Sequence, residues 1–137
     1  MEPTVADIIQ IIEELAPREL AEDWDNCGLQ VGSLKWPVKR LWVALDPTPE
    51  VIQAACQQKA DLLVTHHPLI FKPLKSIDFS HPLGRSIQLA AKNHLAVFSA
   101  HTNLDKTDSG LNDMLAEKLG LKHIADLHQR EGESGFG

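Results

Sequence analysis

Little in this chain ties it to nucleic acid, to a membrane or to an oxidising compartment. Its 137 residues carry 13 Lys and Arg against 19 Asp and Glu, a formal net charge of −6. The basic surplus that grips a polyanion backbone is missing, so nucleic acid is not an expected partner. No apolar run approaches the ~20 residues needed to span a bilayer, and no membrane-crossing helix is expected. Cysteine is confined to Cys27 and Cys56. With no apolar stretch behind a positively charged amino terminus to mark a secretory leader, both thiols are expected to be reduced and the chain cytoplasmic. A Walker-type loop and a dinucleotide-binding glycine fingerprint are both lacking, and with them the usual backbone cradles for phosphate. There is no internal repeat and no low-complexity segment. The length suits one domain over residues 1–137 with one core.

What the chain does have is apolar segments that alternate between two periods. Val5, Ile8, Ile9, Ile12 and Leu15 recur at helical spacing behind Thr4, an expected N-cap with Asp7 completing a box-like start. Pro17 is expected to end that helix. Leu29 to Gly32 is a short extended candidate after the turn chemistry of Trp24-Asp25-Asn26-Cys27-Gly28. Strands are then expected over Arg40–Asp46, Asp61–His66 and His94–Ala100. Helices are expected from Thr48-Pro49 to about Lys59, over Pro82–Asn93 and over Leu111–Leu119, the last stopped by Gly120. Phe71–Ser80 and Thr102–Ser109 read as loops. Strand and helix in alternation predict an α/β fold, a mostly parallel sheet with flanking helices and right-handed crossovers.

In such a sheet the carboxyl ends of the strands share one edge, and ligands bind there. Asp46, His66, His67, His101 and Asp105 all fall at or just past expected strand ends. Three imidazoles and a carboxylate from two strand ends are the material of a metal site. They suit zinc, iron, manganese or nickel better than calcium. Alternation along a strand sends adjacent side chains to opposite faces, so His66 and His67 are expected to serve two neighbouring ions rather than one. Asp105 is the better direct ligand; His101 is either a third nitrogen ligand or a group that orients Asp105 or a bound water. Asp46, ahead of Pro47 and Pro49, reads as a turn or capping residue, and Asn103 as turn chemistry that could also bond the site. His81 and His94 lie near helix ends and read as structural; His123 and His128 read as solvent-facing. Cys27 has no base apparent in sequence and reads as a buried or half-buried free thiol. Lys72, Lys75, Arg85 and Lys106 follow the strand ends and read as surface charge that could meet phosphates.

Five segments taken together resemble a known family in order and spacing: Trp24–Gly32, Ala44–Pro49, Thr65-His66-His67-Pro68-Leu69-Ile70-Phe71, Ser99-Ala100-His101-Thr102-Asn103-Leu104-Asp105, and Gly110–Ala116. The family is the Nif-three-like dinuclear metal proteins, also described as GTP cyclohydrolase type-two-like homologues. The resemblance implies His66 on one divalent ion, His67 on the other and Asp105 as a further ligand. It implies a homo-oligomer, a hexameric ring with its metal sites facing inward. The function implied is hydrolysis of a purine nucleotide such as GTP, a metal-activated water attacking the imidazole carbon of the base. The alternatives are a non-enzymatic metal-binding interaction or regulatory protein, or a truncated inactive paralogue. Members are longer and supply a further His and Glu near their C-terminus. Here Glu133–Gly137 is similar to a segment from the middle of a full-length member, so the C-terminal portion of the fold is expected to be missing.

Overall fold

Helix α1 (Val5–Leu15) starts where its sequence provides an anchor. The Thr4 backbone N–H donates to the Asp7 carboxylate at 2.7 Å, and the Asp7 N–H returns to the Thr4 hydroxyl at 3.4 Å. Two of the helix's orphan donors are thereby satisfied reciprocally. The computed structural model describes residues 2–125; His128 and the Glu133–Gly137 segment lie outside the described residues. Pro17 ends α1 as expected and leads into a short 3-10 turn (Arg18–Leu20).

The remaining elements are β1 (Gly28–Val31), β2 (Leu41–Ala44), α2 (Pro49–Gln57), β3 (Leu62–Thr65), α3 (Pro82–Lys92), β4 (Ala96–Ser99), α4 (Thr102–Lys106) and α5 (Leu111–Lys118). Thr48 caps α2 with its side chain and Pro49 takes the first helical position, where its missing N–H costs nothing. The strands form one sheet in the order β1-β4-β3-β2. β2, β3 and β4 run parallel, joined through α2 and α3, whereas β1 pairs antiparallel with β4.

Period-two alternation divides the strand residues between two cores. Leu62, Ala96, Phe98 and Ala100 pack under Val5 and Ile9 of α1 on one face. Leu63 and Val97 pack with Ile52 and Ala55 of α2 and Ala90 of α3 on the other. The first face is covered only in part. Leu41 and Val43 of edge strand β2 and Leu45 just past it are 44%, 75% and 62% exposed. An apolar cavity of about 290 Å3 opens beside them, lined also by Val64, Leu104 and Leu111 and reaching His66.

Three expectations need correction. The Thr102–Ser109 segment is not all loop, because Thr102–Lys106 winds into α4. Its Leu104 packs against the α1 core, and one apolar residue in five cannot display a helical period. The third parallel strand does not open at His94, whose φ of 56° closes the turn after α3. The strand expected to run to Asp46 ends at Ala44.

Candidate metal centre

Register explains how distant residues meet. Ala44 stands opposite Thr65, and Thr65 opposite Ser99, so all three parallel strands end at one level. Two residues beyond these ends lie Asp46, His67 and His101; one residue beyond β3 lies His66. Hydrogen bonds across and within the exits hold them in place. Ala100 N–H donates to Thr65 O at 3.0 Å, the Ser99 hydroxyl to His66 O at 2.8 Å, and the Thr65 hydroxyl to His67 O at 2.8 Å.

His66 and His67 have left the strand and occupy a bend. Strand alternation therefore does not separate them, and the expectation that they face different ways fails. The ring centroids of His66, His67 and His101 form a near-regular triangle of 4.9, 5.0 and 5.4 Å. One ligand atom from each lies within 4.8 Å of the others, close enough to hold an ion together. Asp105 lies at the edge of this group, with Oδ1 3.5 Å from His66 Nε2. Ligand atoms around one tetrahedral zinc stand about 3.3 Å apart, so that spacing suits two donors on one ion. His101 precedes α4 and Asp105 lies in it, the Asp105 N–H donating to His101 O at 3.1 Å. A single helical turn thus sets their separation.

Each imidazole spends Nδ1 on a fixed acceptor. His66 Nδ1 faces Ala100 O at 3.1 Å, His67 Nδ1 faces Asp46 Oδ1 at 2.6 Å, and His101 Nδ1 faces Asp25 Oδ1 at 2.9 Å. A carbonyl or an ionised carboxylate can only accept, so each Nδ1 carries the hydrogen and each neutral ring leaves Nε2 as a lone pair. With the rings neutral, three Nε2 lone pairs and the nearby Asp105 carboxylate make a donor set with no hydrogen of its own. A cation is what this donor set fits, and the outward Nδ1 contacts are the partners that metal-bound histidines ordinarily keep. Asp46 is therefore an orienting group for His67 rather than a capping residue, since Thr48 does the capping.

Asp25 is the functional residue that sequence reasoning missed. Its side chain is fully buried. Burial works against its charge, but hydrogen bonds from Cys27, His101 and Thr102 outweigh it and hold the carboxyl well below the usual range. The strand pairing explains its position. β1 runs antiparallel to β4 with Gly28 opposite Ser99, so the segment before β1 lies at the edge where the parallel strands end. Asn103 is more than turn chemistry: it is 2% exposed, accepts from His101 N–H at 2.9 Å and donates to Ala16 O at 2.8 Å. The Cys27 thiol sits 2.9 Å from Asp25 and 3.2 Å from Asn103. Burial, followed by the Asp25 contact, pushes its pKa up, which suits a hydrogen-bond donor and not a nucleophile.

Several expected residues stand apart from the cluster. His81 precedes α3 and pairs with Asp78, His94 meets Trp36 at a tilt with ring centroids 5.2 Å apart, and His123 is exposed. Lys106 is not free surface charge, since its amine lies 2.8 Å from Glu22 with both side chains mostly buried.

Comparison with known proteins matches residues 3–137 to the family described as Duf34/NIF3 (NGG1p interacting factor 3). Among curated relatives, a Bacillus subtilis protein named GTP cyclohydrolase 1 type 2 homolog is 46% identical over 120 residues, covering 88% of this chain and 32% of its own. A Clostridium perfringens protein of the same name is 44% identical over 133 residues, covering 96% of this chain and 51% of its own. Among solved structures, the Bacillus cereus protein related to NIF3 superposes with a TM-score of 0.88 at 42% identity, covering 95% of this chain and 36% of its own. Reduced HcgD from Methanocaldococcus jannaschii gives 0.87 at 38% identity, covering 94% and 52%. The chain thus spans about a third to a half of the length of these relatives.

Proposed function

The chain belongs to the Duf34/NIF3 family, and on that premise we propose that it is a metal-dependent hydrolase acting on a purine nucleotide. The observation that carries the reading is the convergence of His66, His67 and His101 beside Asp105, each ring fixed through Nδ1. The name borne by the curated relatives supplies the substrate class.

These four residues would hold one or two divalent ions. A bound ion supplies a water acidified toward neutrality and a positive charge opposite the substrate. The chain's own residues do the remainder. Asp25 and Asn103 lock His101 against rotation, one at its ring and one at its backbone. Asp46 sets the tautomer of His67, and the Ala100 carbonyl does so for His66. His67 is the most open of the three rings, 45% exposed against 16% and 14% for the others. Substrate therefore approaches from its side.

The test is incubation of zinc-, manganese- or iron(II)-loaded protein with GTP, following opening of the imidazole ring and release of formate. Turnover that vanishes with His66→Ala/His67→Ala is expected. Intact GTP with every metal would leave the second reading, a non-enzymatic metal-binding interaction protein. That alternative is favoured by the exposed Leu41, Val43 and Leu45 face, which a homo-oligomer such as a hexameric ring would cover.

A further inference from the structure

Aromatic residues make up 5% of this chain, and two of them meet one another beside the histidine cluster. Phe98 is buried at 2% exposure, whereas Trp24 and Phe71 pack on one another, centroids 5.9 Å apart at 56°, and stay 59% and 47% exposed. The indole also meets His101 edge-on at 6.3 Å. The pair therefore stands on the rim of the histidine cluster, on two different loops.

Those loops are pinned together. The Asn26 side-chain amide donates to Ile70 O, and Ile70 N–H donates to Gln30 Oε1 at 3.1 Å. Gln30 in turn donates to Asn26 O at 2.7 Å. A network spent on holding two half-exposed rings beside a metal-ligand cluster preorganises a surface for something flat. Lys72 and Lys75 follow Phe71 in the same loop and are exposed. Among the described residues no carboxylate pairs with either.

We propose that Trp24 and Phe71 form a stacking subsite for a planar heteroaromatic ring bearing an anionic substituent, and so determine which ligands reach the histidines. Aromatic faces reward a second π-system over a sugar or an aliphatic chain. The unpaired lysines, and any cation at the histidines, complement the anionic group. The inference deepens the nucleotide reading above and rests on it for the fate of the ring, though binding of the ring does not require hydrolysis.

The test is saturation-transfer NMR on the 137-residue chain with guanosine 5′-monophosphate, using ribose 5-phosphate as the ring-free control, with zinc and after chelation. Saturation should reach the base proton H8, and the monophosphate should bind more tightly than the control. Trp24→Leu and Phe71→Leu, each checked for retained fold by circular dichroism, should weaken the monophosphate about tenfold and leave the control unchanged. Trp24→Phe should recover most of the loss. The His66→Ala/His67→Ala variant separates the two readings, since base-dependent binding should persist there even if no hydrolysis is ever found. Equal binding by wild type and both leucine variants would overturn the proposal. So would a monophosphate no tighter than the control. Self-association abolished by Trp24→Leu, without base-dependent binding, would instead make the pair a protein interface.

Discussion

The Asp25 side chain is buried and relies on donors from four other residues, two of them more than 70 positions away. In the proposed metal centre it is a positioning residue, acting through His101. Replacing it with asparagine keeps the volume but offers the His101 Nδ1–H a weaker, neutral acceptor. Metal affinity is expected to fall about 10- to 100-fold, read by competition with a chromophoric chelator. An unchanged affinity would mean that His101 is held by Asn103 alone. The histidines and Asp105 were legible in the sequence because imidazole and carboxylate at strand ends carry chemistry in their residue type. Asp25 was not, since an aspartate two residues before Cys27-Gly28 reads as turn chemistry until β1 is known to run against β4. The direction of a strand is set by its partner and leaves no mark on its own residues.

At the scale of elements, the caps of α1 and α2 could be read directly, because a threonine before a periodic run states its own purpose. The five-residue α4 could not, and its N-cap, His101, makes no side-chain cap hydrogen bond. The capping box makes α1 sensitive to acid. The Thr4 N–H and then its hydroxyl hold the Asp7 carboxyl below its usual range. Its contribution is therefore present above the ordinary carboxylate pKa of about 3.9 and is lost as pH falls through the lower folded-state value. Wild type should lose more thermal stability than Asp7→Asn on acidification through that window, measured by melting curves across it. A second test concerns Gly84 inside α3. A Cβ there would lie 2.0 Å from the Asp78 carbonyl oxygen, and backbone cannot swing aside as a side chain can. Gly84→Ala is expected to lower stability by about 1–2 kcal/mol in urea unfolding, the clash exceeding the gain in helix propensity. A more stable variant would mean that the loop before α3 does not press on the helix.

For the whole molecule, the apolar face on β2 is the surface on which self-association is expected. Val43 on the edge strand and Leu45 just past its end stay mostly exposed, and an edge with apolar side chains invites another chain. Sedimentation velocity at increasing concentration should show self-association, and Val43→Lys/Leu45→Lys should return the chain to a monomer. Fold class and sheet direction for β2, β3 and β4 followed from alternation of strand and helix in the sequence. The extent of the uncovered face did not, because alternation tells which residues share a face but not whether anything packs on it. The three imidazoles and Asp105 are the proposed metal ligands. The most direct test of that assignment is elemental analysis of the protein purified without added metal, beside the His66→Ala/His67→Ala variant. Near-stoichiometric zinc, iron, manganese or nickel per chain, lost in the variant, is the result expected. Equal metal in both proteins, or none in either even after incubation with these ions, would contradict it.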